Sequence, residues 1–98
     1  MDHDAAAASL AELGNNHRLA IFRFLVKAGC EGAAVGDIQK ALDIPPSTLS
    51  HHLNRMVQVG LIRQEKMGRN IQCQPVFQHL EALIRYLKEE CCRGNLLH

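Results

Sequence analysis

Apolar positions recur at spacings of three and four along most of the chain, switch to a shorter period near its middle, and then return. Residues 5–13 are alanine-rich and carry Leu10 and Leu13, which predicts a first helix ending at Gly14. Asn15 or Asn16 can cap a second helix over residues 17–28. There Leu19, Phe22 and Val26 share one face and Ile21 and Leu25 the next, so this helix is expected at the centre. Gly29 closes it, and Cys30, Glu31 and Gly32 read as a loop. A short third helix fits residues 35–42, with Ile38, Ala41 and Leu42 inward. Asp43, Ile44 and Pro45 interrupt the pattern, and Pro46 suits the first turn of a fourth helix running to about Val59. Leu49, Leu53, Met56 and Val57 form its expected buried stripe, and Gly60 ends it. Residues 61–66 and 71–75 then read as two short strands around Met67, Gly68, Arg69 and Asn70, a hairpin signal. Residues 77–92 return to the helical period, with Leu80, Leu83, Ile84, Leu87 and Cys91 on one stripe.

The 98 residues suffice for one small domain, taken as residues 1–98. A chain of this size buries only about 60–65% of its unfolded surface, so a second subunit would help it. The composition, 47% apolar and 21% charged, argues against a disordered chain. No apolar run reaches the ~18 residues that a membrane span needs. Asp2 and Asp4, with no basic residue ahead of the alanines, do not resemble a secretory signal, so a cytoplasmic protein is expected. Cys30, Cys73, Cys91 and Cys92 would then lie in a reducing compartment, where a disulfide framework is not expected. Folding requires no cofactor on this reading.

Charge changes the picture locally. The net charge is only +1, which excludes a uniformly basic nucleic-acid binder. Residues 44–74, however, hold Arg55, Arg63, Lys66 and Arg69 against the single acid Glu65, together with His51 and His52. The rest of the chain is net acidic. One electropositive segment in a nearly neutral protein is the footprint of a local DNA contact surface. Two short helices joined by a tight turn, the second opening with small polar residues, can set that second helix in a major groove. Its expected exposed side chains are Ser47, Thr48, Ser50, His51, Asn54 and Arg55, with His52 toward the flank. These supply short donors and acceptors for base edges and phosphates. Lys66, Arg69 and Asn70 at the hairpin tip could reach an adjacent groove or the backbone. The fold expected is mainly α with a small β-hairpin: a winged helix-turn-helix of five helices and a two-stranded wing. The helix-turn-helix spans residues 35–59 and the wing residues 61–75.

Three segments carry a family resemblance: Asn16-His17-Arg18-Leu19-Ala20-Ile21-Phe22, Val35-Gly36-Asp37-Ile38 and Ser47-Thr48-Leu49-Ser50-His51-His52-Leu53. With Gly60-Leu61-Ile62 and Gly68-Arg69, the chain resembles the ArsR/SmtB metalloregulators from about Leu10 to Cys92. The resemblance implies a homodimeric bacterial repressor that binds a palindromic operator and leaves it when an effector binds. It also implies dimerisation through the first and last helices, residues 1–13 and 77–92. Leu10, Leu13, Leu80, Leu83, Ile84 and Leu87 are the interface candidates.

The effector is where the family pattern departs. Relatives with a cysteine pair on the third helix have no counterpart here, because residues 33–37 contain no thiol. A zinc site on the last helix would need a carboxylate where Phe77 stands. His79 could keep its role, but Glu90 and Arg93 replace two further ligands. Cys91 and Cys92 resemble the arsenite-sensing branch, and soft thiolates suit a thiophilic metalloid such as As(III). Adjacent helical residues point ~100° apart, so chelation by both would require the helix end to fray before Gly94. No third ligand is evident, and residues 95–98 hold no cysteine. Cys30, Cys73 or a cysteine of the partner subunit could complete the site. A redox or reactive-sulfur switch remains open, as does a packing role with no effector at all. Glu89, Glu90 and the helix C-terminus disfavour an activated thiolate. No nucleophile–base pair, phosphate loop or hydrolase spacing points to an enzyme. The rival class is a winged helix that binds protein rather than DNA.

Overall fold

The computed structural model describes residues 1–94. Helix α1 (His3–Leu13) starts earlier than its alanine run because the Asp2 carboxylate accepts from the Ala5 N–H at 2.7 Å. Asn15, rather than Asn16, caps α2 (Asn16–Ala28), its side chain accepting from the Arg18 N–H at 3.1 Å. Helix α3 spans Val35–Leu42, and α4 spans Pro46–Gln58 with proline at its first position. Between them Asp43 adopts a left-handed conformation (φ 52°), and its N–H bonds the Gln39 carbonyl. Aspartate tolerates that region better than most residues, and this reversal makes the tight turn between the two helices.

The sheet has three strands, not the expected two. β1 (Ala33–Ala34) pairs antiparallel with β3 (Asn70–Pro75), which pairs antiparallel with β2 (Ile62–Met67), in the order β1-β3-β2. Two alanines carry no period, so β1 left no mark in the hydrophobic pattern. What permits it is Gly32 (φ 70°), where an added Cβ would stand 1.8 Å from the Cys73 carbonyl oxygen. The pairing Met67↔Asn70 leaves only Gly68 and Arg69 in the wing turn. Gly68 (φ 64°) takes the first of those two places, a position where two-residue hairpin turns favour glycine.

The core gathers Ile21, Phe22 and Leu25 of α2 with Ile38, Leu49, Leu53, Met56, Leu61, Ile62 and Cys73. Three residues expected inside lie outside. Leu19 is exposed because the buried face of α2 is Ile21, Phe22 and Leu25. Ala41 is exposed because α3 packs through Val35, Ile38 and Leu42. Val57 is exposed because the buried face of α4 is Leu49, His52, Leu53 and Met56, centred one position round the helix from the expected stripe.

Helix α5 (Phe77–Lys88) ends four residues before the expected Cys92. Glu89 and Glu90 place negative charge at the negative end of the helix, which opposes continuation. Glu90 and Cys92 both adopt left-handed φ values. Cys91 therefore leaves the apolar stripe it was expected to continue, and it is exposed. α5 runs antiparallel to α1: His3 Nδ1 and the Tyr86 hydroxyl are 2.8 Å apart, and Ser9 Oγ and His79 Nε2 are 2.7 Å apart. Ala6, Ser9 and Leu83 on these helices are buried.

The six interface candidates thus divide. Leu83 is buried within the protomer, and Leu13 and Leu80 pack against its core. Leu10, Ile84 and Leu87 remain 42%, 44% and 58% exposed. No helix among the described residues is long and apolar enough to cross a membrane.

Candidate nucleic-acid interface

Helix α4 presents Ser47, Ser50, His51 and Asn54 on one exposed face, and Thr48 is half-buried at its edge. Their spacing of three, four and seven is that of a single helical stripe. The inward face holds Leu49, Leu53 and Met56 in the core, so the helix is fixed with its polar stripe outward.

His52, expected on the flank of that stripe, is buried instead. Arg18 Nη1 lies 3.1 Å from His52 Nδ1. Because a guanidinium can only donate, Nδ1 is the acceptor and the ring proton sits on Nε2. Burial lowers the His52 pKa below the ordinary histidine value. The positive charge of Arg18 and the neighbouring His17 and His51 act in the same sense, against a weaker opposite pull from Glu12. The His17 and His51 rings stand 5.6 and 6.1 Å from that of His52. His52 is therefore a neutral packing histidine between α2 and α4.

Arg55 is also more constrained than its sequence position suggests. Its Nε donates to both oxygens of Glu12, at 2.6 and 3.1 Å. Glu12 is buried at the end of α1 and also pairs with Arg18, whose Nε donates to the Glu12 carbonyl at 2.8 Å. The Arg55 hydrogen bond holds the Glu12 carboxyl below its ordinary pKa, aided by the charge of Arg18 and opposed by burial.

The wing residues Lys66, Arg69 and Asn70 are exposed. Below them Arg63 Nε donates to Gln74 Oε1 at 2.9 Å, and Gln74 Nε2 donates to Glu65 Oε1 at 3.3 Å. The single acid of the electropositive segment is thus held by a neutral amide. Because β1 leads directly into α3 while pairing with β3, the start of α3 lies beside the wing. A groove of about 360 Å³ opens there, edged by Ser50 and Asn54 of α4 and by Gln64, Arg69 and Asn70 of the wing. The structure brings four of the ten expected contact residues around one groove. Ser47, Thr48, His51 and Lys66 lie outside its lining, while Arg55 and His52 are drawn toward α1 and α2. Gln64, Glu12 and Arg18 went unmarked in the sequence. Nothing in the local pattern marks Glu12, because the buried face of α1, Ala6, Ser9 and Glu12, is set by the fold.

The thiols lie elsewhere. Cys91 and Cys92 are exposed beyond the end of α5, with their Sγ atoms 3.3 Å apart. No fraying is needed to bring them together, because the helix has already ended. Cys30 is exposed. Cys73 is buried in β3, which pushes its thiol pKa up, and Gln64 Nε2 lies 3.5 Å from its sulfur. His79 points Nε2 at Ser9, and burial lowers its pKa. Among the described residues no three His, Cys, Asp or Glu side chains are grouped so as to hold a metal ion.

A polar helix face set beside a cationic hairpin, over a core of packed helices, defines a winged helix-turn-helix, the fold of DNA-binding transcriptional regulators. A family model described as a helix-turn-helix domain matches residues 13–65, and the chain belongs to that family. Solved structures share the whole fold. An ArsR-like transcriptional regulator from Rhodococcus sp. RHA1 superposes with a TM-score of 0.75 at 23% identity, covering 88% of this chain and 78% of the other. NolR from Sinorhizobium fredii gives 0.70 at 26% identity, covering 90% and 85%. A homodimeric winged helix-turn-helix DNA-binding domain from Mycobacterium bovis gives 0.67 at 25% identity, covering 91% and 82%. No curated protein matches the chain by sequence.

Proposed function

We propose that the protein is a transcriptional repressor of the ArsR type that binds a palindromic operator as a homodimer. The observation that carries this reading is the groove between α4 and the wing, where neutral donors and acceptors on the helix meet Arg69 and Asn70 of the hairpin. Ser47, Ser50, His51 and Asn54 would read base edges, while Lys66 and Arg69 would contact phosphates. Leu10, Ile84 and Leu87, exposed on α1 and α5, would be covered by a second copy. The homodimeric neighbour from Mycobacterium bovis supports that arrangement. Two half-sites about one helical turn apart, or a multiple of it, would then face the two copies of α4.

Cys91 and Cys92 would be the effector site, taking a thiophilic metalloid such as As(III). The exposed pair of sulfurs 3.3 Å apart supports this, since both can reach one soft centre. Two thiols would each lose a proton as water leaves the arsenic, and a cysteine of the partner subunit would be one source of a third ligand. Binding there would act on the end of α5 and so on the spacing of the two copies of α4. A coupling of ~3 kcal/mol would weaken operator binding ~150-fold.

Fluorescence anisotropy on duplex DNA from the protein's own upstream region tests the reading. Expected is salt-sensitive binding that Arg69→Ala weakens with a shallower salt slope, and release by stoichiometric arsenite. No binding to duplex DNA would sink the repressor and favour a protein-binding winged helix. Binding that Cys91→Ser/Cys92→Ser still loses to arsenite would sink the effector assignment. Release by oxidants or polysulfide alone would make the same thiols a redox or reactive-sulfur switch, and no release by any of them would point to an effector-independent repressor.

A further inference from the structure

Helix α4 contains one permanent cation, Arg55, and no acid. That cation does not stand alone: its Nε sits 2.6 Å from a carboxylate supplied by another helix, and the carboxylate is buried while the arginine is half exposed. We infer that Glu12 is a specificity-determining residue, which cancels the charge of Arg55 and so keeps the sequence-independent attraction of α4 for DNA low. The inference rests on the DNA-binding reading above and deepens it.

The physical argument is one of charge placement. Sequence-independent affinity grows with each phosphate that a free cation neutralises, because each neutralisation releases counterions. An arginine paired with a buried carboxylate has little charge left to offer. Removing it from the pair would leave that buried carboxylate only the longer 3.7 Å pairing with Arg18, a cost that holds Arg55 where it is. The uncancelled permanent cations of the segment then lie on the wing, at Arg63, Lys66 and Arg69, while α4 offers hydroxyl, amide and imidazole groups. A reading helix without net permanent charge gains little from a wrong sequence, since its contacts depend on matched donors and acceptors. The tie also joins α1 to α4 by a side-chain bond between helices that touch little otherwise.

The test uses a mixed-sequence duplex, so the operator need not be known. Wild type, Glu12→Gln, Arg55→Ala and the double variant are titrated with that duplex across a salt series. Glutamine keeps the shape of Glu12 and an acceptor for Arg55 while removing the charge. Glu12→Gln is expected to bind this duplex more tightly at low salt. Between about 50 and 200 mM salt it should lose about 3–4-fold more affinity per protomer than wild type, the effect of one added phosphate contact. The double variant should return to the wild-type slope, and Arg55→Ala alone should leave that slope unchanged. A purely structural role for Glu12 would not be reversed by removing Arg55.

Three results would overturn the inference. Glu12→Gln could show the wild-type slope. The double variant could stay steep, which would assign the released charge to Arg18. Arg55→Ala could make the wild-type slope shallower by about one contact, which would make Arg55 a phosphate ligand already. This last comparison decides the matter even if Glu12→Gln fails to fold. Absence of wild-type binding to any duplex would remove the DNA-binding reading itself, an outcome distinct from the other three.

Discussion

Replacing Gly32 by alanine perturbs the close backbone approach that lets β1 pair with the sheet. The new Cβ would stand 1.8 Å from the Cys73 carbonyl oxygen and 2.9 Å from the Gln74 Cα, both backbone atoms that cannot rotate away. The positive φ of 70° adds about 1–2 kcal/mol of strain for any L-residue. Relief requires β1 to leave β3, giving up the pairs Ala33↔Cys73 and Ala34↔Gln72. At about 0.5–1.5 kcal/mol per hydrogen bond, losing a bond at each pair costs a further 1–3 kcal/mol. Gly68→Ala is the internal control, because its φ of 64° is similar but nothing lies within 4 Å of its Cβ position. Urea unfolding of both variants at one protein concentration separates strain from clash. Gly32→Ala should be the less stable by about 1–3 kcal/mol, which is at least ~4 °C in Tm for a domain of this size. It should also weaken DNA binding, since α3 begins where β1 ends. Equal midpoints for the two variants would refute the close approach and, with it, the role given to β1 in setting α3 beside the wing.

Acid should destabilise the fold in two stages. His52 and His79 have pKa values lowered from 6.5 by burial, so the folded state binds fewer protons than the unfolded chain below that pH. Stability should be flat above about pH 6.5 and fall as pH drops from there through the folded values of these two groups. Glu12, lowered from 4.5, contributes stability that is present above that pH and lost as pH falls through its folded value. Thermal melts across pH, with Glu12→Gln lacking the second stage, check both signs. Leu83→Ala should cost about 2–5 kcal/mol of folding stability because the side chain is buried within the protomer. Leu87→Glu, at a site 58% exposed, should leave the fold intact and dissociate the proposed dimer in sedimentation velocity; an unchanged dimer would exclude that face.

The apolar period, a cap at Asn15 or Asn16, Pro46 and the glycine in the hairpin were enough to read five helices and a wing, because each rests on local chemistry between residues a few positions apart. The polar stripe of α4 was legible for the same reason: Ser47, Ser50, His51 and Asn54 share a helical face whatever the helix packs against. Three things were not local. β1 has no pattern of its own and exists because Gly32 lets two alanines reach β3 from about forty residues away. His52 was drawn inward by Arg18, and Arg55 was held by Glu12, across helices whose packing no spacing reveals. The end of α5 lay between these cases. Glu89 and Glu90 carried the signal in their charge, but the stripe ending in Cys91 masked it. Thus the sequence by itself determined the five helices, the wing, their order and the polar face of α4. Only the tertiary structure decided which polar residues on that face are free, because pairing between distant side chains depends on where the core sets each helix.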